Sequence, residues 1–163
     1  MLGKDMLEQL YDYNVTANAR ILDCAARVSQ AQLVASTEIG DRSLLILLFH
    51  MLRTEWVWRS LSQDHQMQVS SLPRSEDFPN VETIKARWLA EEQLMRAFLS
   101  GLSDQELSAT VQVKDRHGKE SPMVLWHMLM HLMLHSFQHR TEAAVLLTNY
   151  GQSPGDLDFI FFT

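Results

Sequence analysis

Apolar residues recur at helical spacing along most of the chain, and four long segments carry the pattern. The first runs from about Asp5 to Val28, with Met6, Leu10, Tyr13, Ala17 and Ile21 near one face. Gly40 breaks the chain, and Asp41 is placed to cap a second helix that reaches about Ser62. That helix opens with LLILLF and is apolar almost all round at its start, as a helix buried in a bundle should be. Residues 63–79 are polar and hold two prolines, so they read as a long connection. Asn80 caps a third helix over 81–101, stopped at Ser100-Gly101.

Residues 108–120 (SATVQVKDRHGKE) alternate weakly around a glycine and predict a short irregular hairpin. Ser121-Pro122 has the form of an N-cap followed by proline at the first helical position, which places the start of the fourth helix there. That helix should run to Asn149, with Gly151 as its stop. Helices of this length span roughly 30–40 Å each and predict an all-α four-helix bundle, one domain over residues 1–163. The expected order of directions is up-up-down-down. Residues 29–40 would then cross the bundle, and fully extended they reach about 40 Å.

Composition narrows the class. Apolar residues make up 46% of the 163 and charged residues 21%, a globular balance rather than a disordered one. The net charge of −6 and the lack of any Lys/Arg cluster disfavour nucleic acid as a partner. The single cysteine, Cys24, excludes an intrachain disulfide and points to a reducing compartment. The start, MLGKDMLEQLYDY, has charges where a signal peptide would be apolar, and LLILLF is too short to span a bilayer. A cytoplasmic protein without a membrane partner is expected.

The chemistry concentrates in HMLMHLMLHSFQHR, where His127, His131, His135 and His139 stand four residues apart. Adjacent members of such a series can point at one ion, but residues 127 and 139 lie about 18 Å apart along the axis and about 120° around it. A third ligand has to come from another helix, and His50, directly after LLILLF, is the candidate. If the second and fourth helices run antiparallel, His50 lies about 13 Å from its end of the bundle. The midpoint of His135/His139 lies roughly 18 Å from that end and that of His127/His131 about 30 Å, so the 135/139 pair is nearer in height. A single histidine on an apolar face is usually a hydrogen-bonded core residue. Two at this spacing with a third opposite make metal ligation an equal reading. His127 and His131 are read as packing, as support behind the ligands or as pocket wall, His65 and His117 as exposed.

Other residues carry less. Met123, Met128, Met130 and Met133 read as core filling. Glu55, Trp56 and Trp58 either line a pocket or finish the helix surface, Arg140 either meets a carboxylate inside or lies outside, and Cys24 is a small buried residue. No Glu-x-x-His occurs, which argues against a ferritin-like di-iron bundle. HExxH, P-loop, G-x-S-x-G and G-x-G-x-x-G are absent as well.

An isolated His after an apolar run, followed by His-x-x-x-His-Arg in the last long helix, resembles the DinB/YfiT-like family of metal-binding bundles. LYDYNVTANARILDCAARVSQAQL at 10–33, HMLRTEWVW at 50–58, MHLMLHSFQHRTEAAVLL at 130–147 and GQSPGDLDFI at 151–160 are all similar to its segments. The resemblance implies a four-helix bundle, often homodimeric, with a divalent ion, zinc or nickel, held by His50, His135 and His139. Thr141-Glu142 departs from the family's frequent Gly-Gln and brings a carboxylate within one turn of the site. The family's DNA-damage label does not imply DNA binding.

Three imidazoles would leave coordination positions open, as in catalytic rather than closed structural sites. A bound water made acidic, or a bound thiolate, is then the expected nucleophile. The expectation is a metal-dependent enzyme of hydrolase or low-molecular-weight-thiol S-transferase type, acting on a small molecule or thiol. The rival is a non-enzymatic metal or small-ligand binding module of the stress response.

Overall fold

The computed structural model describes residues 3–38 and 40–162. In chain order they form α1 (Lys4–Ala25), α2 (Gln30–Val34), α3 (Leu44–Asp64), α4 (Val81–Ser100), α5 (Asp104–Leu107), the strands β1 (Thr110–Lys114) and β2 (Glu120–Val124), and α6 (Leu125–Asn149). The four long helices and the hairpin are the expected elements. Among the described residues no helix is long and apolar enough to cross a membrane.

Helix boundaries follow local hydrogen-bond chemistry. Asn80 caps α4 as expected, its Oδ1 accepting the Thr83 N–H at 2.9 Å. α6 ends in a Schellman motif: Gly151 takes φ 76°, its N–H reaches Thr148 O at 3.0 Å, and Gln152 N–H reaches Leu147 O at 2.8 Å. Three boundaries differ from expectation. α1 stops at Ala25, and Ser29 then opens the short α2 through a reciprocal capping box with Gln32. α3 is capped by Ser43, whose Oγ accepts the Ile46 N–H at 3.2 Å, while Asp41 sits in a left-handed turn at φ 54°.

The third difference is the start of α6. Ser121 and Pro122 lie in β2, paired with Val113 and Gln112, and do not open the helix. In a two-stranded ribbon both strands are edges, so proline is tolerated there. The helix begins at Leu125, whose N–H is satisfied by Ala109 O at 3.1 Å instead of by a side-chain cap.

Two apolar clusters fill the bundle ends. One joins Ile21 and Ala25 of α1, Leu44 and Leu48 of α3, Ile84 of α4 and Leu147 of α6. The other joins Leu7 of α1, Leu61 of α3, Met95 of α4 and Leu129 of α6. The end of α1 thus meets the beginnings of α3 and α4 and the end of α6. The order of directions is up-down-down-up, which corrects the expected up-up-down-down. The chain folds back through α2 between α1 and α3, so those two run antiparallel. Residues 65–80 instead reach up to about 50 Å, enough to return along a helix of about 30 Å and set α4 parallel to α3.

A belt of buried polar side chains separates the clusters. Glu55, 1% exposed, accepts Tyr11 Oη–H and Trp88 Nε1–H on its two oxygens, both at 2.7 Å. Arg59 of α3 pairs with Glu91 of α4, and Arg140 of α6 is wholly buried. Unpaired, these groups would destabilise the core; paired across helices, they fix which helix faces which.

Candidate metal centre

α3 and α6 run antiparallel, as the height argument assumed, and this brings His50 level with His135 and His139. His50 Nε2 stands 3.2 Å from His135 Nε2 and 3.2 Å from His139 Nε2. Donor atoms of the three rings all lie within 4.8 Å of one another. The spacing of four residues turns both α6 rings onto the α3 side.

The rest of the ladder is elsewhere. His131 is exposed and packs its ring on Trp58, with centroids 4.5 Å apart, and His127 meets Trp126 edge-on at 4.1 Å. His65 is not fully exposed: it ends α3 as a left-handed C-cap at φ 55°. There it turns the chain so that its carbonyl accepts the Lys114 N–H at 2.9 Å, while Met67 N–H reaches Lys114 O at 3.0 Å. These two bonds dock the hairpin against the segment after α3. A cleft of about 480 Å³ results, walled by α3, by residues 67–72 and by the hairpin turn, with His50 on its lining.

Glu142, one turn beyond His139, accepts a hydrogen bond from His139 Nδ1 at 2.6 Å. In the neutral ring this bond selects the tautomer whose Nε2 keeps its lone pair on the side of the other two rings. His50 and His135 titrate below the usual histidine range. Burial is the main cause for both and the neighbouring His139 the next; Arg42 and Arg53 add to the effect at His50, and His135 is pushed down to about 4. Both rings are therefore neutral at pH 7.

Among the described residues Arg140 pairs with no carboxylate. Its Nη1 donates to Asn14 Oδ1 at 2.7 Å and Asn18 Oδ1 at 3.0 Å, and its guanidinium lies over the Tyr13 ring at 4.9 Å. Glu55 belongs to the core, Trp56 is buried, and Trp58 lines the cleft. Met128 and Met133 are core residues and Cys24 is buried, as read from the sequence, whereas Met123 and Met130 are only half-buried.

The DinB family model matches residues 1–163. The chain belongs to the DinB family. Among solved structures it is similar to a DinB-like protein from Bacillus subtilis, at 12% identity and TM-score 0.67, over 89% of this chain and 94% of that one. It is likewise similar to a DinB-like protein from Bacillus cereus, at 17% identity and TM-score 0.69, over 93% and 95%. At these identities the likeness establishes the shared fold. No curated protein matches the chain.

The donor set of this DinB chain fits an ion. Two nitrogens, each 2.0–2.1 Å from a tetrahedral zinc, stand about 3.4 Å apart, close to the 3.2 Å that His50 Nε2 keeps from each partner. Hydrogen bonding accounts for the arrangement less well. A ring nitrogen has one in-plane site, a proton or a lone pair, and so satisfies one partner rather than two. Sequence reasoning left the Glu142 contact open, although i,i+3 spacing on the helix was its signal. It missed the charged wall of the cleft, because Arg53 and Arg116 lie 63 positions apart and meet there only through the hairpin docking.

Proposed function

We propose that this DinB-family chain is a metal-dependent enzyme in which His50, His135 and His139 hold a divalent ion, zinc or nickel. The reaction proposed is hydrolysis, or transfer to a low-molecular-weight thiol, in the adjoining cleft. The observation that carries the reading is His50 Nε2 facing two other ring nitrogens at 3.2 Å. An ion held by three neutral imidazoles retains positions for water or a thiol and lowers the pKa of whichever it binds. The protein's own contribution is orientation and exclusion. Glu142 fixes the His139 ring, partial burial keeps His50 and His135 unprotonated, and Trp58, Val57 and Met67 give the cleft an apolar wall.

The test is elemental analysis of untagged protein purified without chelator, beside His50→Ala and His135→Ala. About one ion per chain, lost in both variants while circular dichroism stays unchanged, is the expected result. Turnover of activated esters, or of a thiol with an electrophile, should then depend on the ion. Metal without any turnover would favour the binding-module reading. No metal, and no tight binding of added zinc or nickel, would overturn the proposal.

A further inference from the structure

The cleft beside His50 has a composition that the histidine cluster does not require. Val57, Trp58, Met67 and Leu72 make it apolar, yet Arg53 and Arg116 enter it from different walls. Arg53 follows His50 by three residues and so shares its face of α3. Arg116 stands on the hairpin turn, where its Nε donates to His117 Nε2 at 3.0 Å. Among the described residues neither guanidinium pairs with a carboxylate, and that of Arg53 has no hydrogen-bond partner. Asp115, the carboxylate on the cleft wall, is engaged elsewhere: its Oδ1 accepts the backbone N–H of His117 at 2.8 Å and of Lys119 at 2.9 Å. In a chain of net charge −6, two arginines without a carboxylate partner beside an apolar cleft form a local field of the opposite sign.

We propose that this cleft binds a small organic carboxylate, its anionic head between Arg53 and Arg116 and its apolar body against Trp58 and Val57. The planar guanidinium matches the carboxylate fork. The volume of about 480 Å³ suits one small molecule rather than a peptide. A phosphate head would offer Arg the same hydrogen bonds, but Asp115 on the same wall disfavours the second negative charge that a phosphate monoester carries near neutral pH. As a statement about substrate, the inference rests on the histidine cluster being the reaction centre, since the head on Arg53 places the rest of the molecule along the face that carries His50.

The test uses the full chain stripped of metal by chelator, so that no ion can supply the anion site. 4-Phenylbutyrate, 4-phenylbutyramide and 4-phenylbutyl phosphate are titrated by calorimetry. The carboxylate should bind, the amide should bind about ten- to hundred-fold more weakly, and added salt should weaken only the charged ligands. Arg53→Gln and Arg116→Gln should each weaken the carboxylate by about tenfold or more and leave the amide unchanged, and Arg53→Lys should retain part of the affinity. Equal affinity for acid and amide, or an Arg53→Gln protein that stays folded and binds phenylbutyrate as before, would overturn the subsite. Tighter binding of the phosphate would overturn the choice of carboxylate. These outcomes are read without metal, so they stay separate from the elemental analysis: an Arg-dependent carboxylate site in a protein that never holds an ion would keep the subsite and remove the reaction centre.

Discussion

Replacing Glu55 by Gln should remove a pH dependence that the bundle core imposes on folding. Glu55 is fully enclosed, with Tyr11 Oη–H on one oxygen and Trp88 Nε1–H on the other. Burial is the dominant influence and raises its carboxyl from an ordinary value near 4.5 to about 7; the two hydrogen bonds oppose that rise without cancelling it. Between these values the folded protein keeps a proton that the unfolded chain has released. Stability therefore falls as pH rises through the window and levels off above pH 7. At about 1.36 kcal/mol per pH unit the span amounts to about 3 kcal/mol, a large share of a typical domain's stability.

Gln is nearly isosteric and can satisfy both neighbours, its oxygen accepting from Trp88 and its amide donating to the Tyr11 oxygen. The assay is urea unfolding of both proteins from pH 4.5 to 8, in chelator so that any metal linkage is removed from both curves. The wild-type stability minus that of Glu55→Gln should fall by about 3 kcal/mol from the acid to the alkaline end. The individual curves also contain the histidines, whose depressed values make stability rise with pH, which is why the difference is the quantity to read. Parallel curves would refute the reasoning. So would a wild type that gains on the variant as pH rises.

Two further outcomes are expected. Glu142→Gln leaves His139 without its carboxylate partner, so metal affinity measured by chelator competition should drop about 10- to 100-fold with the fold unchanged; an unchanged affinity would show that the contact does not orient the ring. The homodimer expected from the sequence would need a self-complementary apolar face, and Leu134, Phe137 and Phe159, 62%, 56% and 38% exposed, border one groove between α1 and α6. Phe137→Glu should convert a dimer to monomer in sedimentation velocity; a wild-type monomer at all concentrations would remove that expectation.

The four long helices, the hairpin and the histidine trio were legible because their signals are local; the short α2 and α5 were not read. Helical periodicity marked α1, α3, α4 and α6, and spacing along α6 with an antiparallel α3 put His135 and His139, not His127 and His131, near His50. Where local signals competed with tertiary ones, the tertiary ones won. Ser121-Pro122 has a genuine helix-start signature, yet five residues of β2 find partners on β1, and the ribbon holds that segment extended. The order of directions was misread, because both connections were long enough to cross the bundle and the crossing was assigned to the wrong one. The roles of Glu55 and Arg140 depend on partners far along the chain: Tyr11 is 44 residues from Glu55, and Asn14 is 126 from Arg140.

Those distant partners bear on the site itself. Arg140 stands four residues from Ser136 on one face of α6 and is held to Asn14 and Asn18 of α1. His139 and His135 precede that pair by one residue each, about 100° around the helix, and they face α3. Anchoring α6 to α1 through the arginine therefore sets the rotation of the helix about its axis, and with it the direction of both imidazoles. A hydrophobic Arg140 site would tolerate small rotations, since apolar contacts are not directional. Two hydrogen bonds from one guanidinium nitrogen to fixed amide oxygens do not. The buried arginine is thus better explained by the aim it gives His135 and His139 than by stability, because a desolvated cation is a poor way to hold two helices together.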